Sequence, residues 1–142
     1  MNTAKPVVLV AEDCEHDLFF IEQALGDGAV NCTLQIARDG REALDYLEGV
    51  REFADRQKFP LPVLVLTDLK MPRVDGYQVL ARIQSCPHLD KLPVIVLTHS
   101  VLDEDRERVE ASGAKYVVKD VLVNNRAGLA EMVRENLPVQ TF

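Results

Sequence analysis

The chain has 142 residues, 47% of them hydrophobic and 27% charged, a composition that suits one globular domain and leaves no room for a second. No run reaches the roughly 18 apolar residues of a membrane span, and the apolar stretch at 7–11 is too short for a signal peptide. A net charge of −7 works against attraction to nucleic acid or anionic lipid, and three cysteines at unrelated spacings (Cys14, Cys32, Cys86) suggest neither a disulfide framework nor a zinc site, so the expectation is a single cytoplasmic domain over residues 1–142 that binds proteins or small cations, with no nucleic acid and no membrane.

A continuous β-branched run at 7–11 predicts a buried strand, followed by a helix carrying Leu18, Ile21 and Leu25 and stopped by Gly26 and Gly28. An alternating strand at 33–37 comes next, then a helix opened by Asp39-Gly40 with Ala43, Leu44 and Leu47 on one face. Residues 49–62 are long and charged for a connection and read as an extension of that helix or a surface loop. A second buried run at 63–67 leads to a helix on Val79, Leu80 and Ile83. A third run at 94–98 leads to a helix at 102–112 with a thin apolar face. A short, charge-flanked strand at 115–119 and a helix on Leu129, Met132, Val133 and Leu137 complete the series. Five such units require a doubly wound α/β fold: five parallel strands, five helices, the three continuous runs at the centre and the functional site at the strands' C-terminal ends. An eight-stranded barrel needs about 250 residues and is excluded.

Polar residues gather at those ends: Glu12 and Asp13 after the first strand, Asp68 after the third, Thr98 closing the fourth and Lys119 closing the fifth. Singly, each has a plain structural explanation as a helix cap, turn opener, strand residue or solvated charge. Together, three carboxylates in one crevice repel one another unless a cation or proton intervenes, and oxygen donors with positions left open suit Mg²⁺. Mg²⁺ beside a carboxylate, a hydroxyl and an ammonium is an arrangement for phosphoryl transfer. Asp68 is then the nucleophile, Glu12 and Asp13 hold the metal, Thr98 donates a hydrogen bond and Lys119 offsets charge.

These residues, in the strings Glu12-Asp13, Asp68-Leu-Lys-Met-Pro-Arg-Val-Asp-Gly76, Leu97-Thr98 and Tyr116-Val-Val-Lys119, resemble the response-regulator receiver domain of two-component signalling over nearly the whole chain. The resemblance implies the flavodoxin-like strand order 2-1-3-4-5 and Asp68 as phosphoacceptor. It implies Asp13 and Asp68 as direct Mg²⁺ ligands with the carbonyl of Lys70, Glu12 as a ligand through water, and Thr98 and Tyr116 as a switch pair whose ring turns inward on phosphorylation. It also implies a stand-alone signalling phosphoacceptor, not an enzyme beyond its own phosphorylation and dephosphorylation, with a sensor histidine kinase as donor and a downstream protein as target. Homodimerisation through the fourth helix, fifth strand and last helix is open. The segment at 49–62, with Phe53-Ala-Asp55, Pro60 and Pro62, is similar to small response regulators paired with bacterial phytochromes, which makes a phytochrome-type kinase a candidate.

Three positions depart from the family: Lys70 two places after Asp68, His99 where a small residue is usual, and Asp120 where proline is usual. His99 is expected to narrow the path to Asp68 and to titrate near neutrality, and Lys70 to act on the lifetime of the phosphoryl group. Asp120 removes the low-cost cis peptide that aims the lysine, so a trans bond and a looser Lys119 are expected. These departures keep open a phosphorylation-independent binding module of the same fold. A haloacid-dehalogenase-type phosphohydrolase would need a second acid where Lys70 stands, and a flavin protein would not place Glu12-Asp13 against a phosphate.

Overall fold

Strands β1 (Val7–Ala11), β2 (Thr33–Ala37), β3 (Leu64–Thr67), β4 (Val94–Thr98) and β5 (Lys115–Val118) pair in parallel in the order β2-β1-β3-β4-β5, in a computed structural model that describes residues 5–138. The three continuous apolar runs are the three central strands, and the alternating and charge-flanked ones are the edges, as their patterns require. Helices α1 (Glu15–Asp27), α2 (Gly40–Glu48), α3 (Gly76–Ser85), α4 (Asp103–Ala111) and α6 (Arg126–Glu135) are the five expected. A sixth, α5 (Lys119–Leu122), is a single turn that takes Lys119 away from the fifth strand, where the sequence pattern had placed it.

Alternate strand residues feed two cores. Leu9, Val65 and Val96 face α2 and α3 together with Val109 of α4. Val8, Val10, Leu64, Leu66, Ile95 and Leu97 face α1 and α6 through Leu18, Ile21, Leu129 and Val133. Because both of their faces are covered, the three central strands carry no polar face. Helix starts are fixed locally: the Asp39 side chain accepts from the Glu42 amide at 2.8 Å, and Asp75 and Gln78 close a reciprocal capping box at the start of α3. Gly28 caps α1, while Gly26, expected to help stop it, lies inside the helix.

Residues 49–62 do not extend the helix; they form a surface loop whose aromatic residues turn inward. Gly49 ends α2 at φ 68°, a left-handed conformation that glycine adopts without steric cost, and a 3₁₀ turn follows over Arg51–Phe53. Phe53 and Phe59 pack on Tyr46 of α2, with ring centroids 5.0 and 6.1 Å from it, and the Tyr46 hydroxyl donates to the Pro60 carbonyl at 2.8 Å. The Arg56 guanidinium donates to the carbonyls of Leu47 and Phe59. The charges counted in this segment therefore surround an apolar nucleus that extends the first core.

Candidate functional site

Parallel pairing brings the strands' last residues to one edge of the sheet, where the chain must turn into the next helix. Oxygens of Glu12, Asp13 and Asp68 lie there within 4.8 Å of one another, Glu12 and Asp68 buried and Asp13 exposed. Thr98 closes β4 at 1% exposure, and its Oγ1 accepts from the Ser100 amide at 3.1 Å, which leaves its own O–H free to donate. Asp68 is held by its neighbours: the Leu69 amide donates to its Oδ1 at 2.7 Å, and Gly76 lies so close that a Cβ there would stand 2.2 Å from the Asp68 carbonyl oxygen.

Lys119 is the centre of charge. Its Nζ donates to Glu12 Oε1 at 2.7 Å, Asp17 Oδ2 at 2.8 Å and Asp68 Oδ2 at 2.9 Å, and the residue is 7% exposed. Burial alone would lower its pKa, but Asp17, Glu12 and Asp68 raise it above the usual lysine value, so the ammonium form is fixed. Glu12 is also raised, but by burial, which Lys119 offsets only in part. No cis peptide occurs among the described residues, and Lys119 is not loosened; α5 starts at Lys119 itself and turns its ammonium into the crevice, which corrects the expectation of a drifting lysine.

Asp17 is the residue the sequence did not point to. In the first turn of α1 it reads as an acid complementing a helix N-terminus. Its only signal is the four-residue spacing from Asp13, which sets both above the same end of the sheet. His99, expected to narrow the path to Asp68, lines the cavity that reaches Asp68 and is held there by two carboxylates. Its Nδ1 is 3.0 Å from Asp120 Oδ1 and its Nε2 3.1 Å from Asp17 Oδ2. Burial lowers its pKa and these two carboxylates raise it, with a net shift upward from 6.5. That cavity, of about 540 Å³, is also walled by Phe20, Ile21, Leu97, Leu122 and Val123 and reaches Asp68 and Lys119. Lys70 is exposed on the other side, in a hollow shared with Asp13 and Asp105.

Thr98 and Tyr116, expected as a switch pair, are joined through Ser100, a residue the sequence did not point to. Tyr116 is 5% exposed, with its ring already inward and its hydroxyl donating to the Ser100 carbonyl at 2.7 Å. Asp105 of α4 accepts from the Ser100 and Tyr77 hydroxyls, both at 2.5 Å, and burial together with Asp105 pushes the Tyr77 phenol up to about 12. One turn thus ties β4, α3, α4 and β5 together.

A buried aspartate under a fixed ammonium, beside a second acidic pair on a five-stranded parallel sheet, is the arrangement of a receiver domain, and the chain belongs to the response regulator receiver domain family, which matches residues 8–133. It is similar to the response regulator Rcp1 of Synechocystis, 36% identical over 99 residues that are 70% of this chain and 65% of that protein. Among solved structures it is similar to the bacteriophytochrome response regulator AtBRR (33% identity, TM-score 0.78, 99% of both chains). It is also similar to RPA3017 in red light signalling of R. palustris (32%, TM-score 0.80, 95% of this chain and 99% of that one). The Mn²⁺-bound form of Rcp1 is 29% identical, with a TM-score of 0.83 over 96% of this chain and 99% of that one.

Proposed function

We propose that this receiver takes a phosphoryl group onto Asp68 from a histidine kinase in a Mg²⁺-dependent reaction, and signals by repacking around Thr98 and Tyr116. The observation that carries this reading is the 2.9 Å contact of the Lys119 ammonium with Asp68, inside a set of three carboxylates whose oxygens lie within 4.8 Å of one another. Such hard oxygen donors suit Mg²⁺, which when bound would offset charge on the phosphoryl oxygens. Asp13 and Asp68 would hold it directly with the Lys70 carbonyl. Glu12 would hold it through water, since its two oxygens already accept from Lys119 and the Cys14 amide. An Asp68 oxygen attacks phosphorus, the P–N bond of the donor phosphohistidine breaks, and the imidazole leaves with a proton. Lys119 and the Thr98 hydroxyl are placed to bind phosphoryl oxygens as their charge grows.

The likeness to response regulators named for bacteriophytochromes and red light supports a phytochrome-type kinase as donor. Intact mass after incubation with acetyl phosphate and Mg²⁺ tests the chemistry: an adduct is expected on the wild-type protein, absent without Mg²⁺ and absent in Asp68→Asn. One observation favours the alternative of a binding module indifferent to phosphorylation, namely that Tyr116 is already inward. A wild-type protein that forms no adduct would select that alternative.

A further inference from the structure

His99, Asp17 and Asp120 come from three different elements, yet their contacts form one closed ring around Lys119. Asp120 follows Lys119 in the chain, His99 Nδ1 meets Asp120 at 3.0 Å, His99 Nε2 meets Asp17 Oδ2 at 3.1 Å, and that same oxygen accepts from Lys119 Nζ at 2.8 Å. As stabilising ion pairs these contacts are worth little, because the His99 and Asp120 side chains are 57% and 69% exposed. Their consequence is geometric: the backbone after Lys119 and the carboxylate beside its ammonium are fixed by one imidazole. Both ring nitrogens face carboxylate oxygens, so both must donate; a neutral ring would set a lone pair against one of them. The ring of contacts therefore closes on the imidazolium.

We propose that the Asp17–His99–Asp120 bridge positions Lys119 for phosphoryl transfer, supplying by side-chain contacts what a rigid residue after the lysine would supply by covalent geometry. This rests on the receiver chemistry proposed above. It makes His99 a positioning residue and not a gate, and the two roles predict opposite results. A gate removed by His99→Ala speeds transfer from a small donor; a bridge removed slows it.

The groups facing His99 are Cys14, His16 and Asp17 from α1, Asp68 from β3, and Lys119 and Asp120 from α5. His16 is a second imidazole lining the same cavity, so the test is run in a His16→Gln background. With acetyl phosphate and Mg²⁺, His99→Ala is expected to slow Asp68 phosphorylation roughly tenfold at pH 6, as expected for a displaced charge-stabilising group, and to match the parent once pH has risen through the His99 titration. His99→Arg, charged at every pH and able to meet two carboxylates, should keep the low-pH rate and flatten the profile. Acceleration in His99→Ala, or a deficit independent of pH, overturns the proposal. An independent readout is the Lys119 ammonium resonance in ¹⁵N-labelled protein: slow solvent exchange in the parent at pH 6 and fast exchange in His99→Ala are expected, and equal exchange in both overturns the bridge. If the parent forms no adduct, the receiver chemistry fails and this resonance alone decides.

Discussion

At the scale of single residues, the site shows how a shared ammonium replaces pairwise ion pairs. Lys119 serves three carboxylates at once, so its removal leaves buried like charges without a cation. Lys119→Met should cost about 3 kcal/mol in metal-free urea unfolding, partly recovered with Mg²⁺, because truncating one member of a buried ionic cluster strands the others. Asp13→Asn should weaken Mg²⁺ binding more than Glu12→Gln in a titration: Asp13 is exposed, whereas both Glu12 oxygens are already engaged. Equal losses would contradict that division. The strand-end residues of the site were legible because parallel strands oblige their last residues to converge. Asp17, Ser100 and Asp105 were not, since helix first turns and short turns carry acids and hydroxyls for local reasons that look the same in sequence.

Among the elements, the strands were readable because a strand buried on both faces has no choice but a continuous apolar run. The packing inside residues 49–62 was not legible because Phe53 and Phe59 follow no helical or strand period, and their common target, Tyr46, lies in another element. Phe53→Ala should cost about 3 kcal/mol in thermal or urea unfolding, as for a buried aromatic. It should leave Mg²⁺ affinity unchanged, because this segment leads into β3 at the sheet edge opposite the site. Gly76→Ala should do both kinds of damage. Its methyl group would collide with the Asp68 carbonyl, costing about 1–3 kcal/mol and weakening Mg²⁺ binding as Asp68 moves. The thin apolar face of α4 is real: Val109 is its one buried residue, and Asp105 ties it to the turn before it. Its amides should exchange with deuterium faster than those of α1 or α6.

For the whole molecule, the sheet separates two cores and collects Glu12, Asp68 and Lys119 at one edge, where pH acts on stability. Burial raises the Asp17 carboxyl, Lys119 and His99 lower it further, and the net value lies below the ordinary 3.8. Its contribution is complete above that value and is lost as pH falls through the folded one. His99 is raised above 6.5, so its contribution is complete below 6.5 and is lost as pH rises through the folded value. These two small contributions are present together between the ordinary values of 3.8 and 6.5, while Glu12, raised by burial, is destabilising once it ionises, so metal-free urea midpoints should be highest in the acidic part of that window. The His99→Ala variant should lose the alkaline decline. Mg²⁺ at 100 times its Kd should add about 2.7 kcal/mol wherever the carboxylates are ionised.

The chain contains no tryptophan, so its near-ultraviolet emission comes from its three tyrosines, Tyr46, Tyr77 and Tyr116. Two of these phenols end on the same turn, Tyr116 on the Ser100 carbonyl and Tyr77 on the Asp105 carboxylate that also holds Ser100. A carboxylate accepting from a phenol quenches its excited state, so a rearrangement that breaks the Tyr77–Asp105 hydrogen bond should brighten the protein. Tyr46 sits in the remote aromatic nucleus and contributes a constant background. The molecule thus carries an unlabelled optical reporter of the turn around Ser100, readable in real time in a cuvette.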